Sequence, residues 1–105
     1  MAYQRISPTL TTAHGVEPVD GVTDPENGNV VTNPTSLVLE LENDGEDAVS
    51  VTFVTSLTVQ GFAVEDLTVE LGPGDRRVYG HFSPDVFGPD LAFTATGPLT
   101  VRAYR

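Results

Sequence analysis

The sequence predicts an all-β domain: a small antiparallel sandwich of about six to eight short strands over residues 35–105, preceded by an extended arm over residues 1–34. Three observations predict it. From Thr35 onward, apolar and polar residues alternate with the period of two that a half-buried strand requires. Clusters of Gly, Pro, Asn and Asp interrupt that alternation at roughly the 8–12-residue spacing of sandwich strands. No window has a convincing helical period.

The arm differs in character from residues 35–105. Pro8, Pro18, Pro25 and Pro34 break any helix, Gly15, Gly21 and Gly28 loosen the chain, and no apolar periodicity survives across the segment. With no core of its own, such a segment buries area by lying along a neighbour, and its prolines reduce the ordering cost. Its candidate partner contacts are Tyr3, Arg5, Ile6, Leu10, Val16 and Val19.

The first strand places Leu37, Leu39 and Leu41 on one face and Ser36, Val38, Glu40 and Glu42 on the other. After "NDG", Val49, Val51 and Phe53 alternate with Ser50, Thr52 and Val54. A two-residue loop would put the two apolar stripes on opposite faces. A three-residue loop, Asn43-Asp44-Gly45 with Gly45 left-handed, pairs Leu39 with Val49 and Leu37 with Val51, so the reading is a hairpin with one buried face. Val59, Phe62 and Val64 form a less regular piece around Gly61. Leu67, Val69 and Leu71 then lead to "GPGD", where Pro73-Gly74 fits a type II turn and is expected to pass the chain between sheets. "RRVYGHF" reads with Val78, Gly80 and Phe82 inward and Tyr79 outward. "SPDVFGPD" is an irregular connection. Leu91, Phe93 and Ala95, then Leu99, Val101 and Ala103, complete the core, with Tyr104 outward. Tyr79 and Tyr104 join the candidate contacts, because exposed tyrosines are enriched at protein interfaces.

Composition narrows the partners. Fifteen acidic residues against five arginines and no lysine give a net charge of -10, with -3 on the arm and -7 on the remainder. Nucleic acid and anionic membrane both need clustered cations and are disfavoured. The absence of cysteine excludes disulfides, thiolate zinc sites and cysteine nucleophiles. No apolar run is long enough to span a membrane, and "MAYQRISPTL" lacks the apolar core of a signal peptide.

No constellation asks for catalysis. "ENDGEDA" lacks the ligand order and closing glutamate of an EF-hand loop and reads as a solvated turn. His14 and His81 have no second ligand or base at useful spacing, and Ser83 or Asp85 would have to be brought to His81 by the fold. Arg76 and Arg77 read as neutralising Asp75 and the facing strand. The expectation is no enzyme, no cofactor and no metal.

Taken together, "NGNVVTNPTSLVLELENDGEDAVSVTF", "VELGPGDRRVYGHFSPDVFG" and the closing "LTVRAYR" resemble a family of small phage structural proteins, the capsid decoration or minor capsid proteins of tailed phages infecting actinobacteria. The resemblance runs from Gly28 to Arg105, about three quarters of the chain. It implies an Ig-like sandwich with no catalytic residues. It also implies attachment to the major capsid protein on the outer surface of the virion after synthesis in the host cytoplasm, as a homotrimer at local threefold positions. Other virion roles, in the tail tube or in head completion, fit the same composition. An Ig-like adhesion or carbohydrate-binding module would also suit the sandwich and its tyrosines, although the missing signal peptide and the lack of any anchor between Met1 and Arg105 speak against it.

Overall fold

Two sheets face each other across one apolar core in the computed structural model, which describes residues 3–55, 58–59, 62–63 and 65–105. One sheet has the order β1 (Gln4–Ile6), β3 (Asn29–Thr32), β10 (Asp90–Ala95), β5 (Val49–Val54) and β8 (Leu67–Leu71). The other runs β2 (Gly21–Val22), β11 (Thr100–Tyr104), β4 (Val38–Glu42) and β9 (Arg76–Tyr79). A separate small hairpin joins β6 (Thr58–Val59) to β7 (Phe62–Ala63), and one helical turn, α1 (Pro84–Phe87), lies between β9 and β10. The all-β sandwich expected from the sequence is therefore present: among the described residues, 35–105 supply eight strands, within the expected six to eight, and 1–34 add β1, β2 and β3. One pairing is not antiparallel: β1 runs parallel to β3, setting Gln4 beside Asn29 and Ile6 beside Val31.

Leaving aside β1 and the small hairpin, the eight remaining strands pair first with last. β2 pairs with β11, β3 with β10, β4 with β9 and β5 with β8, all antiparallel. Lateral pairs β11–β4 and β10–β5 complete the two sheets. Only the connection from β5 to β8 stays within its sheet, and each of the others crosses to the opposite one.

The alternating residues build the core as expected on most strands. Leu37, Leu39 and Leu41 meet Val49, Val51 and Phe53 from the opposite sheet, together with Leu71, Leu91, Phe93, Ala95, Leu99, Val101 and Ala103, and all are buried. At roughly 25 cal/mol per Å² of apolar area removed from water, this cluster is the main source of stability. Val69 is half-buried against it, while Leu67, at the end of an edge strand, is exposed. Val59, Phe62 and Val64 lie outside the residues whose side chains are described.

Three expectations are corrected. First, β4 and β5 do not form a hairpin: Leu39 pairs with Ala103 and Tyr79, and Val49 with Leu71. Two strands on opposite sheets of a sandwich both turn apolar residues inward, so a shared buried face does not require them to be neighbours. The "NDG" segment is instead a crossing between sheets, and Gly45 is not among the glycines with positive φ. Second, β9 has the opposite phase. Tyr79 lies beside Leu39 and packs on the core, its ring 5.4 Å from that of Phe53, whereas Val78 lies beside Glu40 and is 64% exposed. The strand ends at Tyr79, and Phe82 enters the core from the following connection, stacking edge-on against Phe87. Third, the arm is not separate from the sandwich. β3 is flanked on both sides in its sheet, Val31 is fully buried, and β1 and β2 each extend a sheet.

The turn into β3 shows how a Pro- and Gly-rich stretch becomes ordered. Asp24 Oδ1 accepts from the backbone N–H groups of Glu26 (3.0 Å) and Asn27 (3.1 Å), and Gly28, at φ 80°, donates to the Asp24 carbonyl. The side-chain hydrogen bond from Asn27, ahead of the backbone ones, holds the Asp24 carboxyl below its usual range. A Cβ on Gly28 would come within 2.7 Å of the Tyr3 ring, so this glycine is needed for space as well as for backbone conformation.

Of the first 34 residues, only 10–20 are exposed without interruption. Limited proteolysis with a broad-specificity protease is expected to cut within 10–20 and to spare 21–34 along with the rest of the sandwich. Cleavage between residues 25 and 34 at a comparable rate would contradict the placement of β3.

Candidate functional site

The N-terminal segment ties the two sheets together along one side of the sandwich. Gln4 donates its backbone N–H to the Gly28 carbonyl, and its Nε2 reaches across to the Val22 carbonyl (2.7 Å) and to Asn29 Oδ1 (3.2 Å). Arg5 donates to Thr32 Oγ1 (3.3 Å) and pairs with Asp90 at 3.5 Å, while Ile6 packs against the core. The chain then crosses to the other sheet. Thr9 bridges to Tyr104 in parallel, donating to the Ala103 carbonyl and accepting from the Arg105 N–H. Thr11 fastens to the Arg105 carbonyl through both its N–H (2.8 Å) and its hydroxyl (3.0 Å).

From here the chain leaves the edge of β11 and returns to the same edge at β2, where Gly21 lies beside Val101 and Val22 beside Thr100. The two feet of the excursion are three positions apart on β11, roughly 10 Å at strand rise. A loop with close ends and a surface course is an Ω-loop, a form often used for recognition. Within it the Gly15 N–H donates to the Thr12 carbonyl, with Gly15 at φ 85°.

The loop concentrates exposed apolar surface. Leu10, Val16, Val19 and, at its foot, Val22 are four of the seven large apolar side chains that stand exposed among the described residues, with Val19 the most exposed at 68%. A groove of about 300 Å³ opens beside that foot, lined by Ile6, Val19, Val22, Val101, Arg5 and Gln4. Clustered exposed apolar groups mark an interaction surface more often than scattered ones do.

Charge organises the outer face of the four-stranded sheet. Arg102 on β11 pairs through Nε with Asp20 (2.5 Å) and through Nη1 with Glu40 and Glu42 (both 3.2 Å). Arg76 on β9 pairs with Glu40 at 2.6 Å, as expected for an arginine neutralising the facing strand. These contacts explain why Glu40, on the outward phase of β4, is buried. The hydrogen bond from Arg76 first, and that from Arg102 next among the favourable contacts, hold the Glu40 carboxyl below its usual range. The hydrogen bond to Asp20, first among several causes, raises the Arg102 guanidinium above its usual value.

A depressed carboxyl pKa in the folded state gives stability that is present above the unfolded value and lost as pH falls through the folded one. Glu40 therefore contributes to acid sensitivity below its ordinary value of 4.5. Glu40→Gln is expected to lower the melting midpoint at neutral pH and to flatten its fall between about pH 5 and pH 3. Parallel acid limbs for the variant and the parent protein would show that other carboxylates account for the slope.

The eight candidate contact residues are not equally placed. Leu10, Val16 and Val19 stand free in the loop, and Tyr3 is half exposed over Gly28. Arg5 is exposed but paired with Asp90. Ile6 and Tyr79 belong to the core periphery, and burial pushes the Tyr79 hydroxyl up. Tyr104 keeps the outward phase expected of it, half-buried beside Thr9. Sequence reasoning misses Val22, which occupies a two-residue strand between Gly21 and Thr23, too short to leave an alternating signal.

Among the described residues, no group of three or more His, Cys, Asp or Glu side chains is placed to hold a metal ion. His14 and His81 are both exposed. No helix among these residues is long and apolar enough to cross a membrane. Comparison with protein-family models, with curated proteins and with solved structures finds no match to this chain.

Proposed function

We propose that this protein is a structural virion component that attaches to the outer surface of an assembled phage capsid and stabilises it, with the major capsid protein as its partner. The observation that carries the reading is the exposed apolar loop over residues 10–20, pinned at both ends to one strand edge of a rigid sandwich. Such a loop presents contact area at modest ordering cost because its feet are already fixed. The remainder of the molecule is scaffold. Its acidic charge is in keeping with a protein partner rather than a polyanion.

The strand order bears on the class of sandwich. In an Ig-like domain the last two strands are neighbours in one sheet. Here β10 and β11 lie in opposite sheets, and the nested first-with-last pairing is that of a jelly roll, an architecture common among viral capsid and lectin domains. We therefore read the domain as a jelly roll with one added strand. Fold analogy supports a virion role without establishing it. A homotrimer on the shell and synthesis in the host cytoplasm rest on the family resemblance alone. The adhesion or carbohydrate-binding alternative loses one of its two tyrosines, since Tyr79 faces inward.

A partner that binds only the folded protein stabilises it by about 2.7 kcal/mol when free sites stand at a hundred times the dissociation constant. The test adds purified protein to assembled shells lacking it and measures stoichiometry and the temperature of shell rupture. Full-length protein is expected to bind at fixed stoichiometry and raise that temperature. A variant with residues 12–18 replaced by a short Gly-Ser linker should fold and bind at least tenfold more weakly. Deleting residues 1–30 would not serve, because it removes β1, β2 and part of β3. If full-length protein ignores assembled shells, the reading fails.

A further inference from the structure

The two feet of the 10–20 loop are fastened by different means. The outgoing foot is held by the backbone hydrogen bonds of Thr9 and Thr11 to Ala103 and Arg105, none of which depends on a side-chain charge. The returning foot is held by the two-residue pairing of β2, by Gln4 Nε2 at the Val22 carbonyl and by the hydrogen bonds of Thr23 to Leu99, and immediately before it, on the loop side, stands the Asp20–Arg102 ion pair. Around Arg102, whose side chain is 17% exposed, the three carboxylates are unequal: Glu40 is 8% exposed, Glu42 29% and Asp20 62%.

We infer that Arg102 is a positioning residue for the loop, and that its contact with Asp20 is a latch that opens without unfolding the sandwich. When Asp20 leaves, Arg102 keeps Glu40 and Glu42, so no buried charge is left without a partner. Asp20, the exposed limb, passes into water at little desolvation cost, and added salt screens it most. The closed latch sets Val19 beside the groove it lines with Ile6, Val22 and Val101. The open latch frees the stretch between Thr11 and Gly21, so that Val16 and Val19 no longer keep a fixed place. The latch thus governs how far the contact surface is organised before a partner arrives. This inference gives a regulation to the loop that the capsid-attachment reading uses, and it rests on that reading for its biological meaning.

The test is made on the isolated full-length chain, by backbone ¹⁵N order parameters. In the parent protein at low salt, residues 17–20 should be more ordered than residues 12–15. Asp20→Asn should lower the order parameters of residues 17–20 below about 0.6, the flexible range, and leave those of β4, β5 and β11 unchanged. Asp20→Glu should restore them, and 0.5 M NaCl (roughly a 4 Å Debye length) should act on the parent as Asp20→Asn does. Glu70→Gln, which removes an exposed charge from β8, the edge of the five-stranded sheet away from β1, should leave the loop unaffected. A loop equally ordered in the parent and in Asp20→Asn overturns the latch, whatever the protein binds. A loop loosened in Asp20→Asn while shell binding is undiminished upholds the latch and removes the loop from the attachment reading.

Discussion

Phe53→Ala is expected to be the most damaging single truncation in this protein. Phe53 lies fully buried on β5, inside the five-stranded sheet, and its ring stands 5.4 Å from that of Tyr79 on the opposite sheet, 5.1 Å from Phe82 and 5.8 Å from Phe93. Its ring neighbours all three of these rings, so its removal leaves a void bordered by both sheets and by the connection after β9. A rigid core closes such a void only in part. The expected cost is about 3–5 kcal/mol, out of a total stability on the order of 5–15 kcal/mol for a small domain. The melting midpoint should fall by roughly 12–40 °C. Val54→Ala, the next residue and half-buried on the outer face, is the control and should cost less than about 1 kcal/mol. Chemical denaturation of both variants decides the point, and equal losses would mean that the phase of β5 is wrong.

That phase was legible because β5 is long enough, at six residues, for the alternation to stand out between turn signals. The same is true of β4, β10 and β11, whose inward residues are all buried as expected. What the alternation could not convey is which strand lies beside which. In a sandwich, parity is satisfied by any partner that also faces the core, so Leu39 reads the same whether its neighbour is Val49 in a hairpin or Ala103 and Tyr79 across crossings. Pairing is decided by long-range closure of the two sheets, and a local rule has no access to that.

Short strands failed for a different reason. β1, β2 and β9 have three, two and four residues, and a period of two needs more positions than that to stand out. In β9 the stripe of Val78, Gly80 and Phe82 imitates an inward face, yet the pairing gives that phase to Arg77 and Tyr79. The charged residue on the core-facing phase of an edge strand hinders the addition of another strand there. The segment 29–34 reads as arm because Pro25, Gly28 and Pro34 surround a single four-residue strand, while its place between β1 and β10, with Val31 in the core, is set by the fold.

The candidate site was legible in its residues and not in its limits. Leu10, Val16 and Val19 were recognisable as apolar groups in a coreless stretch. Val22 and the anchoring of Asp20 by Arg102, 82 positions away, required the fold. The ion-pair face repeats the pattern: Arg76 beside Glu40 comes out of the neutralisation argument, but the role of Arg102 depends on β11 lying between β2 and β4.

Asn43→Ala is expected to cost about 2–4 kcal/mol, far more than a turn asparagine on a hairpin would. Asn43 is fully buried where two crossings meet, from β4 to β5 and from β8 to β9. Its backbone exchanges hydrogen bonds with the second crossing, donating to the Asp75 carbonyl and accepting from the Gly74 N–H, both at 2.9 Å. Its Nδ2 donates to the carbonyls of Asp47 (2.8 Å) and Leu71 (3.0 Å), and its Oδ1 accepts from the Gly45 N–H (3.0 Å). The second crossing is itself a type II turn, with Gly74 at φ 80° and the Asp75 N–H donating to the Gly72 carbonyl. Alanine keeps the backbone links and strips the side-chain ones, leaving the buried Leu71 carbonyl without this donor. Asn43→Asp is expected to be worse at neutral pH, because it buries a charge and sets an oxygen against two carbonyls; it should recover in part on acidification, when the protonated acid regains one donor. Gly45→Ala should be nearly neutral, whereas Gly74→Ala should cost about 1 kcal/mol for its left-handed backbone. The hairpin reading predicts the reverse for Gly45. Urea denaturation of the four variants separates the two readings, and an Asn43→Ala loss below about 1 kcal/mol would mean that the crossings are not fastened through this side chain.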